Sequence, residues 1–222
     1  MSANKNDSRP DGADNCTWVT IELPLAPADA LAFCHDIEQL LRLNPYLEIY
    51  ALQEAPGPFQ PGKQYHLHAL NEMTGIEHDL DLTLTQLGND VLSLRYSQGA
   101  RQALEIRALA PGQDRKQQQA GCRLTLREHY DTSAPSEVLE KEVDRGIVRW
   151  GSAIHKHLRG QRRWGWLPGY RTLRRFWLSM PPRHRRIGRL LIWIGVAEFI
   201  FFLFILAVFC LETRAAPWNA GG

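Results

Sequence analysis

Several features that commonly reveal a protein's function are missing from this sequence. Residues 1–16 hold no apolar run like the core of a secretory signal peptide, and we expect this polar stretch to be disordered. The 4 cysteines show no paired spacing, which indicates a reduced environment rather than a disulfide framework or a cysteine metal site. A nucleophile motif, a phosphate-binding loop and an internal repeat are missing as well. We therefore expect neither a metal nor a cofactor.

Acidic residues are missing from one long part of the chain. The formal net charge of +2 hides an asymmetry, because residues 1–144 hold 12 Lys and Arg against 22 Asp and Glu, whereas residues 145–197 hold 13 Lys and Arg and no acid. A basic block of this kind beside an apolar segment favours an anionic membrane surface as its partner. Nucleic acid is the alternative, but the acidic first part of the chain would repel phosphates, so we expect no nucleic-acid partner.

One long apolar run occurs near the end of the chain, at residues 190–211, where Glu198 is the one charged residue. About 20 apolar residues in a helix cross the hydrocarbon core of a bilayer, so we predict a single transmembrane helix and a short tail at 212–222. Arginines precede the run more densely than they follow it, which by the positive-inside rule predicts a cytoplasmic N-terminal domain at an inner membrane. Glu198 would either face a helix of a partner membrane protein or reach toward the near interface, and both alternatives remain open.

Residues 161–189 precede this span and mix arginines with aromatic residues. Aromatic rings favour the headgroup level of a bilayer and arginines bind lipid phosphates, so we predict that this segment lies at the membrane surface. A short interfacial helix is expected at 173–180, ended by Pro181 and Pro182, and a solvated linker is the alternative. The predicted membrane-surface residues are Arg162, Arg163, Trp164, Trp166, Arg171, Arg174, Arg175, Trp177, Arg185 and Arg186.

Hydrophobic periodicity predicts one α+β domain at residues 17–160. Alternating apolar residues predict a first strand at 17–25, and residues 28–43 are typical of two short helices broken near His35 and Asp36. Short loops between the later strands predict an antiparallel meander, with one longer exposed loop at 111–119. A helix of about 20 residues, capped by Ser133 or Ser136 and ended by Gly160, carries an apolar stripe. The strands of the meander are predicted at 46–54, 64–70, 76–87, 91–96, 102–108 and 122–130.

This order of elements over residues 17–158 resembles the START-like superfamily, which includes the plant pathogenesis-related allergens, the polyketide cyclases and the coenzyme Q-binding proteins. The sequence APADALAF at 26–33 is similar to the opening helix of bacterial members, and HDIE at 35–38 is similar to the break into their second helix. Leu43-Asn44-Pro45 stands where many members carry Trp-Pro. The resemblance implies a helix-grip fold, in which a curved antiparallel sheet surrounds the long C-terminal helix and a cavity between them holds lipids, sterols, quinones or polyketides.

The apolar phase of each strand and the stripe of the long helix should face this interior. These side chains either line an open cavity or fill one another's space as a closed core, and both alternatives stand because a sequence does not give a volume. The predicted ligand-binding residues are Ile21, Leu67, His78, Leu80, Leu82, Leu94, Tyr96, Ile106, Leu126, Glu128, Val143, Ile147 and Trp150.

Polar residues in the apolar phase are the candidates for chemistry. His78 shares its phase with Leu80, while Glu128 and Tyr130 share theirs with Leu126. A hydrogen-bonded pair of His78 and Glu128 would suit the acid–base chemistry of a cyclase or dehydratase, with Tyr130 as a further candidate. A purely structural pair, or exposure where the strands end, is the alternative.

His66 and His68 also face a common side of their strand. A metal site there would need a third ligand, which the sequence does not identify.

We expect a membrane-tethered domain that binds or transfers a hydrophobic ligand such as a lipid, a quinone or an isoprenoid-like molecule. One alternative is a cyclase or dehydratase acting on a membrane-derived substrate. The other is an accessory subunit that docks on a membrane complex through its transmembrane helix. Membrane lipids, the ligand itself and such a membrane protein are the expected partners.

Overall fold

The computed structural model describes residues 16–110, 121–131 and 136–215, except for the side chains of residues 136–145, 214 and 215. The predictions of a disordered start, an exposed loop at 111–119, a serine cap at 133 or 136 and a tail at 212–222 fall wholly or partly outside these residues.

In the described part of the chain, seven strands form one open sheet in the order β1–β7–β6–β5–β4–β3–β2. Every neighbouring pair is antiparallel, two short helices follow the first strand and a long helix follows the last. The predicted α+β helix-grip architecture is therefore confirmed. The strands are β1 (Cys16–Leu23), β2 (Leu47–Glu54), β3 (Gln64–Asn71), β4 (Ile76–Leu87), β5 (Val91–Tyr96), β6 (Arg101–Leu109) and β7 (Cys122–Tyr130). The helices are α1 (Pro27–Cys34), α2 (Ile37–Arg42), α3 (Ser136–Trp164), α4 (Tyr170–Ser179) and α5 (Pro182–Ala215).

The alternation of side chains gives the sheet one buried face and one exposed face. Along β7, Leu124 and Leu126 are fully buried, whereas Arg123 between its buried neighbours is exposed. Helix α1 packs over β6 and β7, α2 packs on β2, and α3 crosses β1. Burial of these apolar side chains between sheet and helices is the main term that stabilises the fold.

Two neighbouring residues fix α3 against the rest of the domain. Trp150 is 1% exposed, and its indole Nε1 donates a hydrogen bond of 2.9 Å to the carbonyl oxygen of Leu40 in α2. At Gly151 an added Cβ would lie 2.9 Å from a methyl carbon of Val19 on β1, closer than side-chain carbons pack. Glycine therefore allows the close approach of α3 to β1 at this point.

A β-bulge interrupts the edge strand β2. Ile49 pairs with Ala69 and Ala51 with His68, so Tyr50 is an extra residue on β2 without a partner in the register. The side chain of Tyr50 is half exposed, and its ring lies 5.2 Å from the ring of His68.

Three helix boundaries differ from the prediction. The long helix does not end at Gly160 but continues to Trp164, because a glycine inside a helix costs only about 1 kcal/mol and does not stop it. Helix α4 begins at Tyr170, after Gly169 with its positive φ of 81°, and not at residue 173. Helix α5 begins at Pro182, where proline suits the first turn, and continues through the predicted span.

The chain divides into two compact units, one ending at Ser179 and the other beginning at Met180. In the second unit, Pro182–Thr213 is long and apolar enough to cross a membrane, and among the described residues it is the one helix with this property. Its apolar side chains are exposed along its length, including Trp193, Phe201 and Leu211. Such a surface is unfavourable in water and suits a hydrocarbon environment, consistent with a single-pass anchor.

Candidate functional site

A cavity of about 220 Å³ lies between one part of the sheet and Trp150 of α3. The predicted residues that line it are Leu67, His78, Leu80, Tyr96 and Trp150. The other lining residues, which the prediction did not include, are Leu41, Asn44, Leu47, Ile76, Gln98, Gly99, Ala100 and Arg101.

The apolar wall of this cavity follows from strand pairing. Leu67 on β3 is the direct partner of Leu80 on β4, so both side chains point to the same face of the sheet. Leu41 at the end of α2 and Leu47 at the start of β2 extend the same wall. The turn between them is held by Asn44, whose side-chain oxygen accepts a 3.0 Å hydrogen bond from the backbone N–H of Tyr46. An apolar ligand would therefore meet hydrocarbon on this side.

Another part of the cavity wall comes from the end of β5, the following turn and the start of β6, and it carries polar side chains. Tyr96, Gln98 and Arg101 bring a hydroxyl, an amide and a guanidinium to this wall, and the turn contains Gly99 with φ of 99°. Burial raises the pKa of Tyr96, the negative charge of Glu128 raises it further and Arg101 opposes both. The Tyr96 hydroxyl is therefore protonated at neutral pH and is able to donate a hydrogen bond.

A buried cluster of Glu128, Tyr130 and Arg101 adjoins this polar wall. Glu128 is 2% exposed and accepts a 2.6 Å hydrogen bond from the Tyr130 hydroxyl through Oε2. Its Oε1 lies 3.6 Å from Arg101 Nη1 and has no hydrogen-bond partner among the described residues. Burial and the charge of Glu128 both raise the pKa of Tyr130, which keeps this hydroxyl protonated. The hydrogen bond to Glu128 thus comes from Tyr130, whereas His78 lies in the cavity lining.

Most other predicted ligand-binding residues lie in the packed core. Four are fully buried and belong to the same hydrophobic cluster, namely Leu82, Leu94, Ile106 and Leu126. Ile21 and Ile147 also lie in this cluster, and the side chain of Val143 falls outside the described residues. The strand residues of this core follow the same alternation as Leu67 and Leu80. Alternation alone therefore does not distinguish core residues from residues that line the cavity.

A second hollow, which we call the arginine pocket, has the opposite chemistry. Its volume is about 490 Å³, and it lies beside α4 with side chains from α2 and α3. No acidic residue is among the described residues that line it. These are Gln39, His157, Gln161, Tyr170, Arg171, Thr172, Arg174 and Arg175.

His157 is the buried member of the arginine pocket. It is 3% exposed, its ring lies 5.4 Å from the ring of Phe33, and its Nδ1 accepts a 3.2 Å hydrogen bond from Arg174 Nε. Burial, and then the positive charge of Arg174, lower the pKa of His157 to about 4. The imidazole is therefore neutral at physiological pH and acts as a hydrogen-bond acceptor for Arg174.

The remaining predicted membrane-surface residues are distributed over both units. Arg162 donates a hydrogen bond to the Pro24 carbonyl, and the Arg163 guanidinium lies 5.2 Å from the Trp164 ring centre. Composition alone predicted both Trp166 and Trp177 at the membrane surface. Trp166 is 75% exposed, whereas Trp177 is half-buried. Arg185, Arg186 and Glu198 lie on α5, where Glu198 is exposed.

His66 and His68 lie on the exposed face of the sheet and interact with carboxylates of β4. His66 contacts Asp81 at 2.9 Å and Asp79 at 3.0 Å, while His68 contacts Glu77 at 2.7 Å. Over residues 16–110, 121–131 and 136–215, no group of three or more such side chains could hold a metal ion.

Comparison with known proteins identifies the fold. A START superfamily protein from Mycobacterium smegmatis matches 65% of this chain over 97% of its own length, with 14% identity and a TM-score of 0.50. The Zhui aromatase/cyclase from Streptomyces sp. R1128 matches 68% of this chain over 97% of its own length, with 14% identity and a TM-score of 0.53. No protein-family model matches the chain, and no curated protein matches it in sequence. The curved antiparallel sheet and the long helix of this chain thus form a START-like helix-grip fold.

Proposed function

We propose that the START-like domain binds a small hydrophobic molecule that carries one polar end, and that α5 holds the domain at a membrane from which this molecule is taken. The cavity between β2–β6 and Trp150 is the observation that carries the proposal. Its apolar wall would hold the body of the ligand, and the wall of Tyr96, Gln98 and Arg101 would face the polar end.

The volume of the cavity limits the ligand. About 220 Å³ lies just below the range of about 300 to 1,000 Å³ that is usual for small-molecule sites. A single ring system, or one segment of a longer isoprenoid or acyl chain, fits this space better than a whole phospholipid. Each buried methylene would contribute about 0.8 kcal/mol relative to water, so the wall formed by Leu67 and Leu80 would supply most of the affinity.

The polar wall favours an oxygen-bearing end group. The protonated hydroxyl of Tyr96 donates hydrogen bonds, and Arg101 adds a positive charge that Glu128 partly balances at 3.6 Å. A carbonyl, phenol or quinone oxygen would accept a hydrogen bond from the Tyr96 hydroxyl, which a purely hydrocarbon ligand would not do.

Tethering would raise the concentration of a membrane-derived ligand at the domain. The apolar surface of α5 supports a membrane location. The cytoplasmic placement at an inner membrane rests on the arginines before the span, as the positive-inside rule describes.

Native mass spectrometry of the full chain, purified from its own host in mild detergent, tests the proposal. We expect one small apolar molecule with a carbonyl, hydroxyl or quinone group, bound at near-unit occupancy and released by solvent extraction. A chain that is folded but free of bound small molecules in repeated preparations would contradict the proposal.

A cavity-filling variant supplies the matched control. Leu80→Trp places an indole in the cavity and should abolish ligand occupancy. Leu109→Trp makes the same substitution at a half-exposed end of β6 and should leave occupancy unchanged. Equal occupancy in both variants would show that the ligand binds elsewhere.

A cyclase or dehydratase is the second candidate function, and the buried Glu128 is the observation that favours it. Its Oε1 has no hydrogen-bond partner among the described residues, and the cavity lies beside it. If the domain is a dehydratase, Glu128→Gln should retain a bound molecule that is heavier by one water than the molecule bound to the unaltered chain. Bound molecules of identical mass in the two proteins would contradict the dehydratase function and leave ligand binding as the remaining candidate.

A further inference from the structure

The arginine pocket concentrates positive charge, and none of the described residues that line it is acidic. Arg171 and Arg175 lie four residues apart on α4, and Arg174 lies three residues after Arg171, so their side chains share one side of the helix. Like charges at this spacing destabilise a helix by a few tenths of a kcal/mol per pair. An anion bound between the guanidinium groups would remove this repulsion.

The pocket also has a fixed inner wall. The neutral ring of His157, which is 3% exposed, accepts the Nε–H of Arg174 at 3.2 Å. This bond leaves the two terminal nitrogens of Arg174 as donors, in the planar arrangement that suits phosphate and carboxylate oxygens. The hydrogen-bond acceptor of Arg174 is thus an uncharged imidazole and not a carboxylate, so this bond does not neutralise the positive charge of the arginine.

Neighbouring groups extend the set of hydrogen-bond donors. The hydroxyls of Tyr170 and Thr172 and the amides of Gln39 and Gln161 line the same pocket. Tyr170 and Thr172 belong to the first turn of α4, whose partial positive charge also favours an anion. Gly160 keeps the space at the Tyr170 hydroxyl open, because an added Cβ would lie 3.0 Å from that oxygen.

We propose that the arginine pocket is a binding site for one phosphoryl group. The surroundings favour the headgroup of an anionic phospholipid as the source. On α4 the side chains of Leu173 and Phe176 are 65% and 59% exposed, although they are apolar. Acyl chains would cover these side chains while the phosphate lies among the arginines, an arrangement that a free phosphate ion would not provide. This site is separate from the apolar cavity and does not depend on the ligand proposed for it.

Calorimetric titration of the full chain in a neutral detergent tests the site with two probes, dihexanoyl phosphatidic acid and inorganic phosphate. We expect saturable binding of the lipid at one molecule per chain, with weaker binding of inorganic phosphate. Equal affinity for both probes would support a phosphoryl-binding site but would contradict the lipid as its source, since a soluble phosphate would then be the ligand. No saturable binding of either probe would overturn the proposal.

A charge-matched pair of double variants separates a built site from general attraction to the basic segment. Arg171→Gln with Arg175→Gln removes two charges from the pocket, and Arg183→Gln with Arg189→Gln removes two exposed charges outside it. The pocket variant should weaken lipid binding at least tenfold, which corresponds to about 1.4 kcal/mol, while the control changes it less than twofold. An equal loss of lipid affinity in the two variants would overturn the proposed site and would mean that the lipid is attracted by the basic segment as a whole.

The role of His157 as a positioning residue is tested by two substitutions. His157→Gln keeps an acceptor for Arg174, whereas His157→Leu removes it. We expect the glutamine variant to bind dihexanoyl phosphatidic acid within about threefold of the unaltered chain and the leucine variant to bind at least tenfold more weakly. Circular dichroism confirms that each variant is folded before titration, and equal affinity of the two folded variants would contradict the positioning role.

Discussion

The apolar cavity and the arginine pocket belong to the same unit but arise from different parts of the sequence. The cavity is built mainly on paired strands, where Leu67 and Leu80 project from adjacent positions of a regular ladder. The arginine pocket is built around α4, outside the sheet, from a segment that contains only basic and neutral residues. Paired strands thus provide most of the apolar site, whereas the charged site is built from helices that lie outside the sheet. Substitutions that affect only the apolar cavity or only the arginine pocket test whether the two hollows are independent.

The largest effect is expected for Trp150→Ala. This indole lines the cavity, is 1% exposed and donates to the Leu40 carbonyl, so its removal should lower the free energy of unfolding by about 3 to 5 kcal/mol. Urea unfolding of the full chain in neutral detergent provides the measurement. Trp166→Ala, at a side chain that is 75% exposed, is the control and should change stability by less than about 0.5 kcal/mol. Similar losses in both variants would mean that Trp150 does not anchor α3.

Acidification should weaken the domain through His157. Because its pKa is about 4 in the folded chain and 6.5 in the unfolded chain, the unfolded chain binds more protons between these values. Stability therefore falls as the pH drops from about 6.5 to 4, by up to about 3 kcal/mol. Thermal unfolding at stepwise lower pH measures this loss, and His157→Gln should flatten the curve. Parallel curves for the two proteins would show that another group causes the acid sensitivity.

A smaller loss is expected for Gly151→Ala. The added Cβ would meet Val19 at 2.9 Å and force α3 away from β1, at a cost of about 1 to 3 kcal/mol. Alanine favours a helix over glycine by about 1 kcal/mol, so the net destabilisation should be about 0 to 2 kcal/mol. Gly195→Ala on α5, where an added Cβ has open space, is the control and should not destabilise the chain. A gain in stability at Gly151 would show that this contact relaxes freely.

The smallest effect is expected at the exposed histidine His66, whose electrostatic setting is the reverse of that of His157. The hydrogen bond to Asp81 is the largest cause that raises the pKa of His66, loss of solvent around the ring lowers it, and the charges of Asp79 and Asp81 raise it further. Any stabilisation from this group is present at low pH and is lost as the pH rises through the raised pKa. In an NMR titration of the ring protons, Asp81→Asn should lower the pKa of His66. Glu22→Gln on β1 should leave it in place, and equal shifts in the two variants would contradict the role of Asp81.

The regular part of the fold could be predicted from the sequence, because its periodicity is local. The strand limits predicted for β4, β5 and β7 match the structure residue for residue. The end of α3 could not be predicted in the same way. Gly160 was taken as a stop, yet the helix continues to Trp164, since the cost of one glycine is smaller than the stabilisation from the packed helix.

The cavity was only partly predictable for a geometric reason. Leu67 and Leu82 have equivalent positions in the alternating pattern and are both buried, yet Leu67, unlike Leu82, lines the cavity. The difference depends on where the helices cover the sheet, which is long-range information. Arg101 was not predicted, because it is the first residue of β6 and directly follows a turn. A charged residue next to the alternating apolar positions of β6 could have indicated that it lines the cavity.

The arginine pocket was anticipated as a basic surface but not as a hollow. Arg171, Arg174 and Arg175 were predicted to meet a membrane, whereas the burial of His157 was not predicted. Its burial depends on Phe33 from a helix far away in the chain, and sequence spacing carries no information about that contact.

The bulge at Tyr50 affects how the protein behaves among its own copies. An open sheet presents unpaired backbone groups along its outermost strand, and such an edge is a template for the intermolecular strand addition that leads to aggregation. At Tyr50 the extra residue breaks the regular spacing of these groups, and the carboxylates of Glu48 and Glu54 lie toward the two ends of the same strand. Chains concentrated side by side in the plane of a bilayer would meet at high local density. A bulged edge with acidic side chains near its ends would disfavour the joining of their sheets.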